Sequence, residues 1–96
     1  MSKGYIIGHI TVTNEEAYKE FVTRDTPMFE AAGARILVRG GDAENVEGPQ
    51  YARHVVFEFD SYLAAKDFYH SPAYQDVLKI RHANADSMIV LVEGYE

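Results

Sequence analysis

Imidazole at His9 and His54, carboxylate at Glu58, guanidinium at Arg39 and Arg81, and phenol at Tyr5 and Tyr74 are the groups here that can act on a small molecule. In YIIGHITV, strand alternation puts Tyr5, Ile7, His9 and Thr11 on one face; in YARHVVFEFD it puts Ala52, His54, Val56 and Glu58 together. If the two strands are neighbours, expected here as a central parallel pair, these faces line one surface. One histidine can then serve as a general base near neutral pH, with Glu58 as a second proton carrier. Two imidazoles and a carboxylate also suit a metal, but no HxH or HExxH spacing occurs and no metal is expected. The alternative is a pair of hydrogen-bonded histidines in an interface. Haem ligation by His9 or His54 is a further reading.

The arginines pose a different question. In YHSPAYQDVLKIRH, Tyr74, Leu78 and Arg81 are spaced by four and then three, so a guanidinium shares a helical face with apolar groups. Arg39 closes RILVR, alternates onto the face of Arg35 and Leu37, and is followed by Gly40-Gly41, where the backbone can turn sharply. Two arginines beside a cleft can grip a carboxylate or enolate, with Tyr5 or Tyr74 donating a hydrogen bond. The alternative is internal pairing, with Glu58 or Asp86 neutralising Arg81 and Tyr74 packed over its stem.

Other chemistry is excluded or bland. Cysteine is absent, which removes disulfides and thiolate sites. Ser71 lacks a GxSxG elbow and reads as a helix cap before Pro72. The glycine pair fits neither GxGxxG nor GxxxxGK[ST], and no cofactor is expected. A net charge of −6 with no basic run argues against nucleic acid. No apolar run reaches the roughly 18 residues of a membrane span, and the opening MSKGYIIGHITV alternates like a strand, so a cytoplasmic protein without membrane contact is expected. His70 and His82 read as surface residues, and Tyr18, Phe21 and Phe29 as core.

These groups must be positioned by few elements, in one domain over residues 1–96. Residues 5–12 read as a strand. Thr13 with Glu16 reads as a capping box opening a helix that ends near Gly33. Pro27 lacks the amide for the bond to residue 23, so a kink or restart with Thr26 as cap is expected. ARILVRGG is a second strand, DAENVEGPQ a polar connection and YARHVVFEFD a third strand. Ser61 caps a short helix, Ser71-Pro72 starts a reoriented one, and SMIVLVEGY is the last strand. The order β-α-β-β-α-α-β is that of an α+β, ferredoxin-like split βαβ fold, with a four-stranded antiparallel sheet and its helices on one face. YIIGHITV and SMIVLVEG are apolar on both faces, so the helix-free side would expose a large patch. A homodimer is the expected cover.

KGY, EAYKEF, GARILVRGG, VEG, RHVVFEFDS, FYHSPAYQ and the combination of Arg81 with LVEG resemble the bacterial family called domain of unknown function 1330, of the dimeric α/β-barrel superfamily. The match runs from about Lys3 to Gly94. The resemblance implies a ferredoxin-like protomer whose sheet packs on its mate's. The family pattern is met at Arg39, Gly40, Glu47, Gly48, Arg53, Glu58, Phe59, Ser71, Tyr74 and Arg81, but His9 and His54 lie outside it. Superfamily relatives include cofactor-free monooxygenases and an isomerase. The expected function is therefore a cofactor-independent, isomerase- or monooxygenase-like enzyme acting on a small organic acid or aromatic. The alternative is a non-catalytic dimer that binds a small anionic molecule or another protein.

Overall fold

A computed structural model describes residues 2–96. The elements are β1 (Gly4–Val12), α1 (Glu15–Ala31), β2 (Arg35–Arg39), β3 (Arg53–Phe59), α2 (Tyr62–Tyr69), α3 (Pro72–Asn84) and β4 (Ala85–Glu93). They form the α+β, ferredoxin-like arrangement, with sheet order β2-β3-β1-β4. β1 and β3 are the central pair, but they run antiparallel, with Tyr5 opposite Glu58 and His9 opposite His54. The expected parallel pairing is wrong for a topological reason. The α1 crossover makes β1 and β2 parallel, and β3, slotted between them, opposes both.

Strand alternation sets the two faces. Gly4, Ile6, Gly8 and Ile10 of β1 and Val55, Phe57 and Phe59 of β3 are buried beneath the helices. Phe29 of α1 is fully enclosed and organises the core: its ring stacks on Phe57 with centroids 3.9 Å apart and touches Phe68 and Tyr74 at 4.7 and 5.5 Å. The opposite face carries Val38, Val56, Ile7 and Val90 side by side, one from each strand. Met88, Val90 and Val92 are among its exposed apolar residues.

Local signals were mostly obeyed. Ser61 accepts from the Ala64 amide and Ser71 from the Tyr74 amide, capping α2 and α3 as their sequences require. Gly33 adopts φ 76° just past α1, where an L-residue would be strained. Two expectations fail. Asn14, not Thr13, caps α1, accepting from the Ala17 amide, while the Thr13 amide is bonded to the Asn84 carbonyl. α1 also runs through Pro27 without restarting at Thr26. Pro27 and Thr23 both face solvent, so water can satisfy the carbonyl that proline leaves unbonded.

A bulge in β2 has the largest consequence. Arg35 opposes Glu58 and Ile36 opposes Phe57, but the register then slips, so that Val38 opposes Val56 and Arg39 opposes Val55. Strict alternation would have put Arg39 with Arg35 and Leu37. One extra residue instead turns Arg39 to the helix side and leaves Arg35 on the bare side.

Candidate functional site

On the helix side, three charged groups converge where α1, α3 and the end of β2 meet. Asp25 is 1% exposed and Arg81 is 4% exposed, the buried charges of the described chain. Arg39 donates from Nη2 to Asp25 Oδ1 at 2.8 Å and from Nη1 to Thr26 Oγ1 at 2.9 Å. The Thr26 hydroxyl in turn donates to the Val22 carbonyl at 2.7 Å, which fixes its lone pairs toward Arg39. The Arg39 guanidinium lies over the Phe57 ring and that of Arg81 over Phe21. Arg81 reaches Tyr69 Oη at 3.4 Å, a long contact, and its buried Nε finds no acceptor among the described residues. Such an orphan donor carries a desolvation cost of roughly 1–3 kcal/mol.

Electrostatics follow from this enclosure. Burial pushes the Asp25 carboxyl above its usual pKa, while the hydrogen bond and charge of Arg39 and the charge of Arg81 pull it down. Burial, and then the Asp25 charge, hold the Tyr74 phenol far above its ordinary value, so it is a neutral donor throughout the physiological range. Asp25, Arg39, Arg81, Tyr74, Tyr18 and Phe21 are among the walls of a cavity of about 10 Å³, which suits one water rather than an organic substrate. Arg39 and Tyr18 also line a cleft of about 500 Å³ that opens beside α1. They form the partition between the enclosed charges and a space of ligand size.

The structure sorts the sequence candidates into three places. Arg39, Arg81 and Tyr74 do come together, on the helix side. Their carboxylate is Asp25, so the expected pairing of Arg81 with Glu58 or Asp86 does not occur. Asp25 was passed over although it lies in register with the α1 stripe, four residues from Phe21 and four from Phe29, and is buried with them. That spacing singled out Arg81 and singles out Asp25 equally.

The second place is the bare face. Glu58 accepts from the Tyr5 hydroxyl at 2.9 Å and pairs with Arg35, which also bridges to Asp60. The bond from Arg35, and then that from Tyr5, hold the Glu58 carboxyl below its ordinary pKa, and the Glu58 bond raises that of Tyr5. Glu58 is thus a committed carboxylate. At the far end of the same face, His9 Nδ1 and His54 Nδ1 lie 2.8 Å apart, so one ring donates and the other accepts. The residue 40–52 connection folds over this pair, giving a hollow of about 290 Å³ walled partly by Asn45, Tyr51 and Met88. His54 and Glu58 are four residues apart along β3, about 13 Å, too far for one proton relay. Among the described residues, no cluster of three His, Asp or Glu side chains is placed to hold a metal.

Comparison with known proteins agrees with this architecture. Comparison with curated proteins gave no match. A protein of unknown function from Rhodopseudomonas palustris superposes with a TM-score of 0.78 at 18% identity, covering 99% of this chain and 84% of that one. A dimeric ferredoxin-like protein of unknown function from Thermobifida fusca gives 0.63 at 13% identity, over 96% and 91%. SnoaB, a cofactor-independent oxygenase from Streptomyces nogalater, gives 0.63 at 13% identity, over 100% and 96%. Likeness at these identities is likeness of fold. Among the described residues, no helix is long and apolar enough to cross a membrane. The model of the domain of unknown function DUF1330 matches residues 3–95, and the chain belongs to that family.

Proposed function

We propose that this protein is a cofactor-independent enzyme that moves a proton on a small organic acid or aromatic substrate, with Asp25 as the base. The observation that carries this reading is a buried carboxylate of raised basicity, held by Arg39 and beside Arg81, at the partition of a ligand-sized cleft. A proton leaves a carbon next to a carbonyl of a substrate in the cleft and reaches the enclosed Asp25 carboxylate through one water at the Arg39 partition, and the bonding electrons move to the carbonyl oxygen. The resulting enolate is stabilised by Arg39, with Arg81 and the neutral Tyr74 in the enclosed cluster behind it. Water exclusion by Phe21, Phe57 and Tyr18 strengthens each of these interactions. SnoaB, a neighbour in fold, is a cofactor-independent oxygenase, which is consistent with chemistry carried by the protein's own side chains.

The test is deuterium incorporation from D2O into a panel of small keto acids and acidic phenols, followed by proton NMR. Wild type is expected to exchange one position, and Asp25→Asn to slow it by roughly 10²–10⁴-fold, the range for a general base. Exchange that survives Asp25→Asn but is lost in His54→Asn would move the site to the bare face, to His9 and His54.

We further read the functional unit as a homodimer of one-domain chains, formed through the bare face. The row Val38, Val56, Ile7 and Val90 offers a flat apolar surface, and two structural neighbours are described as dimeric. Val90 is 48% exposed in the protomer, so Val90→Asp leaves the protomer's own packing intact while placing two carboxylates in the interface. Sedimentation velocity at micromolar concentration is expected to give a dimer for wild type and a monomer for Val90→Asp. A monomeric wild type would refute the dimer.

A further inference from the structure

We infer that Arg53 is the residue that selects the substrate, by holding the carboxylate of a small molecule with a flat apolar body in the cleft beside α1. This rests on the reading that the cleft is the ligand site, and adds the ligand's chemical class and the group that recognises it. Arg53 opens β3 on the helix side, and its guanidinium lies 5.2 Å from the centre of the Tyr18 ring. A guanidinium held over that ring and lining the cleft keeps donors for a planar, two-point grip on a carboxylate.

The Arg53 side chain makes no hydrogen bond or ion pair with a described residue, whereas Arg39 is committed to Asp25 and Thr26 and Arg35 to Glu58 and Asp60. Arg24 and Arg81 also lack an ion pair with a described carboxylate, but Arg24 is exposed and Arg81 enclosed, whereas Arg53 is half-buried and lines the cleft. The cleft of about 500 Å³ is lined by Tyr18 and Val22, by the cations Lys19, Arg39 and Arg53, and by one carboxylate, the exposed Glu15, which makes no ion pair with Arg53. Arg53 also borders a second hollow of about 280 Å³ against Gly40 and Gly41, so its head is open on two sides. A ligand whose carboxylate sits on Arg53 lays its body along Tyr18 and Val22 and brings its far end to Arg39. Behind Arg39 at that end lies Asp25, bonded to its Nη2. The substrate is therefore a monocarboxylate with its acidic C–H or O–H remote from the carboxylate, across one small flat ring or chain.

Benzoate and its uncharged isostere benzamide separate this inference from the reading beneath it. Titrations into 15N-labelled protein at low salt are expected to show benzoate shifting the amides around Tyr18, Val22 and Arg53, with benzamide at least 10-fold weaker. Arg53→Gln should bring benzoate down to the affinity of benzamide, and Arg53→Lys should restore part of the difference. An unchanged melting temperature in Arg53→Gln would confirm that only recognition is altered. Equal binding of the two probes, or benzoate binding that is indifferent to Arg53→Gln, would overturn the role of Arg53 and leave the cleft as the site. Shifts confined to His9 and His54, or absent for both probes, would overturn the cleft as well.

Discussion

Asp25→Ala is expected to destabilise the protein by about 3–5 kcal/mol, the cost of breaking a buried charge pair from one side. The loss comes from the partners. Arg39 is partly exposed and can turn into the cleft, but Arg81 is 4% exposed and already has an unpaired Nε. Without Asp25, the buried carboxylate whose charge interacts with Arg81 is gone. For a domain of this size each kcal/mol is worth roughly 4–8 °C, so the melting temperature should fall by more than ~10 °C. Asp25→Asn keeps an acceptor for Arg39 and should cost less in stability while still slowing proton transfer.

The same residue gives a pH signature. Its pKa is raised on folding, so Asp25 favours the folded state below the ordinary carboxylate range, and this is lost as pH rises through its folded value. Glu58 and Asp60 have lowered values, so they favour folding above that range and lose their contribution as pH falls. Between pH 3 and 7, chemical denaturation of Asp25→Asn should therefore show a steeper loss of stability on acidification than wild type. An identical slope in the two proteins would mean that Asp25 is not the titrating group.

Phe29→Ala is the second large effect, expected at about 3–5 kcal/mol from lost burial plus an unfilled cavity. Phe29 is 0% exposed and its ring meets Phe57, Phe59, Phe68 and Tyr74. No single neighbour can collapse into the space, because the four belong to β3, α2 and α3. Small domains have about 5–15 kcal/mol in total, so urea unfolding should show the midpoint reduced by roughly a fifth or more, or no folded protein at all. A change below 1 kcal/mol would show that the aromatic cluster repacks. The deuterium-exchange activity should fall with the folded fraction, since Tyr74 takes its position from this cluster.

Periodicity and caps carried the fold. The alternation in YIIGHITV and HVVFEF, the Ser61 and Ser71 caps and the position of Gly33 are local features that act within a few residues. Their order admits few topologies, and the split βαβ arrangement followed. The neighbouring Thr13 and Asn14 compete for one cap, and the contact between the Thr13 amide and the Asn84 carbonyl decided it, a contact invisible along the chain. The direction of β3 relative to β1 was likewise a matter of how the α1 crossover closes.

The candidate site was legible in types but not in partners. Arg81 was marked by sitting in line with Tyr74 and Leu78, and Tyr74 by the same face. That Arg39 joins them depended on the bulge between Ile36 and Val38, which reversed its side of the sheet. No local pattern in RILVR announces an extra residue, because a bulge is set by how β2 pairs with β3. Asp25 lay in plain helical register with Phe21 and Phe29, yet its meaning needed Arg39 opposite it. The sequence by itself determined which residues share a face within a regular strand or helix, since the period is local. Only the tertiary structure decided which charges meet, because an ion pair needs two surfaces whose relative register is set by the packing of distant segments.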